Sequence, residues 1–146
     1  MIYSSNTEEL VREIKTRYPN KRIIVYPDPA CRQRKTSAGG KTDLNILQNA
    51  GLTVRVKNVH PQVRDRINAV NSRLKNTNDQ RMMFIDPKCK NIIRGMERHL
   101  YKEGTTQPDK DSEFDHMNDA IGYAVDYLFP IRKQYNREIP QRWSVK

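Results

Sequence analysis

A layered α/β domain, with helices covering a small sheet, is the fold class this sequence predicts. Three observations carry that expectation. Short β-branched runs alternate with amphipathic stretches in the order helix, strand, helix, strand, helix, strand, helix, helix. Two of the apolar runs stop abruptly at Asp-Pro, as strands do when they deliver a loop at a sheet edge. With 36% hydrophobic and 30% charged residues, a chain of 146 has room for one thin-cored domain and a large solvated surface. No internal repeat or low-complexity block interrupts the pattern.

Thr7 opens the first helical stretch, with Glu8 and Glu9 in its first turn and Leu10, Val11 and Ile14 on one face. Tyr18-Pro19-Asn20 ends it. Arg22 to Tyr26 is a buried strand that stops at Pro27-Asp28-Pro29. Cys31 to Thr42 is small-residue rich, basic and without periodicity, which predicts an exposed loop. Thr42-Asp43 caps a short helix through Leu44, Ile46 and Leu47, ended by Gly51. Leu52 to Lys57 alternates as a half-buried strand does. A helix from about Pro61 to Leu74 sets Val63, Ile67, Val70 and Leu74 inward and Arg64, Arg66 and Arg73 on its other face. Met82 to Ile85 reads as a third strand, ending in Asp86-Pro87, and a helix from about Cys89 to Tyr101 follows. After a polar loop, 104–112, Asp115 to Leu128 is a packed helix with Met117, Ile121, Ala124, Val125 and Leu128 as its stripe. The domain is expected to occupy residues 1–130, and 131–146 to form a basic tail or extended arm with Trp143, the single tryptophan.

The charge narrows the partner. A net charge of +10 and an isoelectric point near 9.8 favour a polyanion. No apolar run approaches the roughly 20 residues that cross a bilayer, and no basic amphipathic helix with an aromatic face is present, so no membrane partner is expected. The N-terminus lacks an apolar signal core, and two cysteines outside any CxxC pair make no disulfide framework. Nucleic acid is the expected partner. Arg32, Arg34, Lys35 and Lys41 are the candidates for contact with its phosphate backbone; the alternative for their loop is plain solvation. Gly39-Gly40-Lys41-Thr42 ends as a nucleotide-binding P-loop ends, but Lys35 stands where that motif needs its first glycine, so a Walker site is excluded.

The chemistry concentrates on carboxylates. Asp28 ends a buried strand, where ligands bind in α/β folds. Asp115 and Asp119, four apart at the start of a helix, project from one face, and His116 can share it. Such hard donors suit Mg²⁺ or Mn²⁺, and with DNA as partner they suggest two-metal phosphodiester hydrolysis. The alternative stays open at this point: Asp115 caps a helix and Asp28 closes a turn, as Asp86 would. His60 and His99 have no cluster around them in the sequence and read as surface residues.

Taken in order, Ile-Val-Tyr-Pro-Asp-Pro-Ala (24–30), Gly51-Leu-Thr-Val, Asp86-Pro-Lys-Cys-Lys-Asn-Ile-Ile and Asp115-His-Met-Asn-Asp-Ala-Ile-Gly-Tyr resemble the nuclease domain of phage terminase large subunits. The last element, an Asp/His-x-x-Asp-Ala-x-x-Tyr helix after a polar loop, is the most specific, and the resemblance spans roughly residues 7 to 130. It implies a ribonuclease H-like fold and metal-dependent endonuclease cleavage of concatemeric phage DNA in the cytoplasm of a bacterial host. The implied partners are double-stranded DNA, the ATPase motor domain, the small terminase subunit and the portal. Asp28 matches the family's second acidic position and Asp119 its last-helix acid. Asp115 and His116 lie where some members place an additional acid or a histidine ligand.

The family's first acid sits on a three-stranded meander, and this chain is expected to begin after it, at the following helix. On that expectation metal binding is weak, the chain alone cleaves little or nothing, and an open sheet edge beside Ile23 to Tyr26 invites self-association. Two other accounts remain: a non-catalytic DNA-binding or packaging-complex module, and another ribonuclease H-like enzyme such as a junction resolvase.

Overall fold

The computed structural model describes residues 6–34, 40–98, 103–105 and 114–131. Lys35, His99, Tyr101, most of the 104–112 loop and the 132–146 tail with Trp143 lie outside the described residues. Among the described residues, five α-helices and a two-stranded parallel sheet follow in the order α1 (Thr7–Arg17), β1 (Ile24–Val25), α2 (Asp43–Asn49), β2 (Thr53–Val54), α3 (Val63–Leu74), α4 (Lys90–Arg98) and α5 (Asp115–Leu128).

The helix ends follow local chemistry. Asn6, one residue before the expected start, caps α1: its side chain accepts from the Glu9 N–H while Glu9 accepts from the Asn6 N–H, a reciprocal box that satisfies two orphan donors. That leaves the Thr7 hydroxyl to donate to Asp43 at 2.7 Å, tying α1 to α2. Thr42 caps α2 through the Asn45 N–H, and Gly51, at φ +78°, supplies the left-handed residue just past its end. The chain then enters β2, which pairs with β1 in the register Ile24↔Thr53 and Val25↔Val54. A strand, a helical crossover and a parallel strand make one βαβ unit whose strand ends open on the same side.

Two apolar clusters form. Val11, Leu47 and Leu52, with Ile23, Val25, Ile46, Ala50 and Val54 around them, seal α1 and α2 against the sheet. Ala69, Val70 and Val125, with Leu74, Met83, Met96 and Ile121, join α3, α4 and α5. Between the clusters the contacts are polar and aromatic: Lys57 pairs with the buried Asp126 at 2.5 Å, and Tyr26 meets Tyr127 with ring centroids 5.4 Å apart.

Three expectations are corrected. Residues 82–85 form no strand. The N–H groups of Met82 and Met83 both donate to the Arg73 carbonyl at 2.9 Å, so the segment caps the end of α3 instead of reaching the sheet, and Phe84 is left 83% exposed. The buried face of α5 is turned from the expected apolar stripe: Asp115, Gly122, Tyr123, Val125 and Asp126 are buried, whereas Met117 and Leu128 are exposed. A partner explains this for Asp126, which is paired with Lys57. Arg66, expected on a solvated face of α3, is 2% exposed. It lies one turn from Val70, at the margin of the apolar stripe, and turns inward to meet α5.

Gly122 permits that approach. A β-carbon there would sit 3.4 Å from the Arg66 β-carbon. A larger side chain must push α3 and α5 apart, so Gly122→Leu is expected to lower stability by about 1–3 kcal/mol in urea denaturation, the cost of overpacking a close contact.

Candidate active site

The loop after β1 turns by an Asx device: Asp28 Oδ1 accepts from the Ala30 N–H at 2.7 Å and starts the 3-10 turn Pro29–Arg32. Asp86 does the same, accepting from the Lys88 N–H at 2.8 Å. The two Asp-Pro corners part company there. Asp86 is exposed, whereas Asp28 meets residues from two further segments. Its Oδ2 accepts from the Tyr123 hydroxyl at 2.8 Å, and its Oδ1 lies 2.9 Å from His60 Nε2. The Tyr123 oxygen also stands 3.2 Å from His60 Nε2, with the two rings edge to face. His60, expected to be a surface residue without partners, is half-exposed and belongs to this cluster.

Tyr123 extends the cluster into the helical layer. The Arg66 guanidinium carbon lies 4.2 Å from the centre of its ring, and Arg66 Nη1 donates to Asp119 Oδ1 at 2.5 Å. Asp28, at the end of β1, and Asp119, on α5, are thus joined through His60, Tyr123 and Arg66. The strand end and the last helix meet here with Tyr123 and Arg66 standing between the two carboxylates. Asp115 is buried in the first turn of α5, where the helix dipole favours an acid. His116 is exposed, and among the described residues no contact joins it to Asp28 or Asp119.

Of the predicted phosphate contacts, Arg32 is exposed but tied down, its guanidinium donating to the Val56 carbonyl at 3.4 Å and to Asn58 at 3.2 Å. Arg34 and Lys41 are exposed at the two ends of the loop, and an isolated antiparallel bridge pairs Arg34 with Thr42.

Electrostatics sets the protonation states. Burial alone would raise the Asp28 carboxyl, but the Ala30 N–H, the Tyr123 hydroxyl and His60 outweigh it and hold its pKa below the ordinary 3.8. Burial raises the Tyr123 phenol, and its hydrogen bond to the Asp28 carboxylate raises it further, so Tyr123 stays a neutral donor.

A family model for the terminase RNaseH-like domain matches residues 7–128. The chain belongs to this family. Searches of curated proteins and of solved structures gave no match. The terminase RNaseH-like assignment agrees with the α/β architecture and makes the chain a module of terminase nuclease type.

Domains of this type generally use divalent metals, and the donor set here suits one. Among the described residues no three His, Cys, Asp or Glu side chains gather into a cage. The donors come instead as Asp28 with His60, both partly open to solvent, and Asp119, one third exposed beside Arg66. Small hard cations are held in this fashion, by one or two carboxylates with water completing the shell.

His60, Arg66, Lys57, Tyr123 and Asp126 were not singled out by sequence. Tyr123 closes the motif that carries the resemblance, and Arg66 sits at the margin of the α3 stripe, so each left a trace. Nothing near His60 in the chain signals its partners, which arrive from residues 28 and 123.

The depressed Asp28 pKa fixes a sign. A carboxylate favoured in the folded state contributes stability that is present above its unfolded pKa and lost as pH falls through the folded value. The stability advantage of the native chain over Asp28→Asn is therefore expected at neutral pH and to vanish below the ordinary carboxylate value of 3.8, as followed by urea denaturation at a series of pH values.

Proposed function

We propose that this domain is the metal-dependent endonuclease of a DNA-packaging terminase, hydrolysing phosphodiester bonds in duplex DNA. The observation that carries the reading is the linked pair of carboxylates: Asp28 at the end of β1 and Asp119 on α5, joined through Tyr123 and Arg66. Asp28 and Asp119 would hold Mg²⁺ or Mn²⁺, with Asp115 as a further ligand; His116, exposed and without contact to Asp28 or Asp119 among the described residues, is left outside the site. Bound divalent ions supply an acidified water and neutralise the charge that develops on the phosphate.

The chain's own residues prepare the site. The Ala30 N–H and the Tyr123 hydroxyl fix both oxygens of Asp28 and keep it anionic. Arg66, buried beneath the Tyr123 ring, holds Asp119 in place from the protein side. The substrate class follows from charge: a chain at +10 draws in a polyphosphate, with Arg34 and Lys41 at the loop ends and Lys35 between them as the backbone contacts. No base-reading motif is present, so cleavage depends little on sequence. In this reading the duplex is concatemeric phage DNA, and the motor ATPase, small subunit and portal are the assembly partners.

One observation favours a second reading, a DNA-binding packaging module without catalysis. The Arg66 guanidinium already neutralises Asp119, so that carboxylate is less free for a cation. Salt-sensitive DNA binding is expected under both readings, because counterion release does not depend on cleavage.

Relaxation of supercoiled plasmid in Mn²⁺ separates them. The nuclease reading predicts weak nicking that is lost in Asp28→Asn and in Asp119→Asn, while duplex binding at low salt changes by less than about tenfold. Nicking that survives both substitutions, or a chain that binds DNA but no Mn²⁺ at all, would overturn it.

A further inference from the structure

We propose that His60 is a direct metal ligand, sharing one divalent ion with Asp28 through its Nε2 atom. The proposal rests on the reading of Asp28 as a metal ligand and adds to it a nitrogen donor from the loop between β2 and α3.

Geometry is the first ground. Ligands about 2.1 Å from a small octahedral cation stand about 3.0 Å apart along an edge of the octahedron. His60 Nε2 and Asp28 Oδ1 are 2.9 Å apart. The spacing is that of two adjacent ligands, and both side chains are about half open to solvent, at 52% and 45%, so a hydrated ion can reach them and keep its remaining waters.

The ring's other nitrogen supplies the second ground. His60 Nδ1 lies 3.4 Å from the Pro61 carbonyl oxygen, which can only accept. A proton on Nδ1 satisfies that contact and leaves the Nε2 lone pair facing the cluster. Metal-bound histidines are commonly oriented in this way, with the remote N–H on a backbone carbonyl or carboxylate.

The third ground is the hydroxyl. Tyr123 gives its single proton to Asp28 Oδ2 at 2.8 Å and remains 3.2 Å from His60 Nε2. Without a metal Nε2–H donates to Asp28; in the Nδ1–H tautomer that a bound cation would select, the Asp28 Oδ1, His60 Nε2 and Tyr123 oxygen lone pairs converge. A cation seated among them relieves that repulsion.

Mn²⁺ bound to the full chain tests this by pulsed electron paramagnetic resonance, alongside titration calorimetry. The native chain is expected to show nitrogen hyperfine coupling on the bound ion. His60→Gln is expected to lose that coupling and weaken Mn²⁺ binding at least about tenfold, the scale of even second-shell losses at metal sites. His116→Gln is expected to keep the coupling. Thermal unfolding of each variant shows that the fold is intact.

Should His60 only pair with Asp28 as a counter-ion, His60→Gln would free the carboxylate, and Mn²⁺ would bind as tightly or more tightly. That result, or coupling lost in His116→Gln instead, would overturn the proposal. With Mn²⁺ binding still lost in Asp28→Asn, the reading of Asp28 would stand. A native chain that binds no Mn²⁺ would overturn both.

Discussion

The contact between the Tyr123 hydroxyl and Asp28 is the point on which this architecture turns. One apolar cluster lies around the sheet and a second lies among α3, α4 and α5, and the contacts between them are polar and aromatic. A buried tyrosine needs a partner for its hydroxyl, and the partner here comes from the opposite layer. The demand that fixes how α5 sits on the strand ends is therefore the same one that orients the candidate metal-binding carboxylate. Fold and site share their central hydrogen bond.

Charge burial follows the same logic. Arg66 and Asp126 are nearly inaccessible, and each is matched, Arg66 with Asp119 between α3 and α5 and Asp126 with Lys57 from beyond β2. Such pairs add little net stability, since desolvation offsets much of their attraction, but losing one partner is costly. They make the packing of α5 specific: rotating the helix to bury Met117 and Leu128 would strand Asp126 and pull Asp119 from Arg66. The face so fixed sets the Tyr123 hydroxyl on Asp28 and Asp119 on Arg66.

Local signals explain what could be read from the chain. Helices α1 to α5 were legible from local sequence, and α2 also from its caps, Thr42 before Asp43 and Gly51 after Asn49. Residues 82–85 misled for an equally local reason. Their apolarity suits a strand, but the N–H groups of Met82 and Met83 are taken by the Arg73 carbonyl, a choice made by tertiary structure. Asp28 and Asp119 were visible as acids at element ends. His60 and Arg66 were not, since their roles depend on partners 32 to 63 residues away in the chain. A helical stripe assigned by hydrophobicity alone also leaves out a paired arginine or aspartate, which is why the buried face of α5 was placed one step around the helix.

The central claim is that Asp28 and Asp119, on different layers, belong to one electrostatic unit held together by Tyr123 and Arg66. A double-mutant cycle on folding stability, with Asp28→Asn, Asp119→Asn and the pair, tests it most directly. Groups in one network couple by about 0.5–3 kcal/mol, whereas independent groups add to within about 0.5 kcal/mol. A coupling energy of at least about 1 kcal/mol is the expected result on that scale. Simple additivity of the two substitutions would contradict the account.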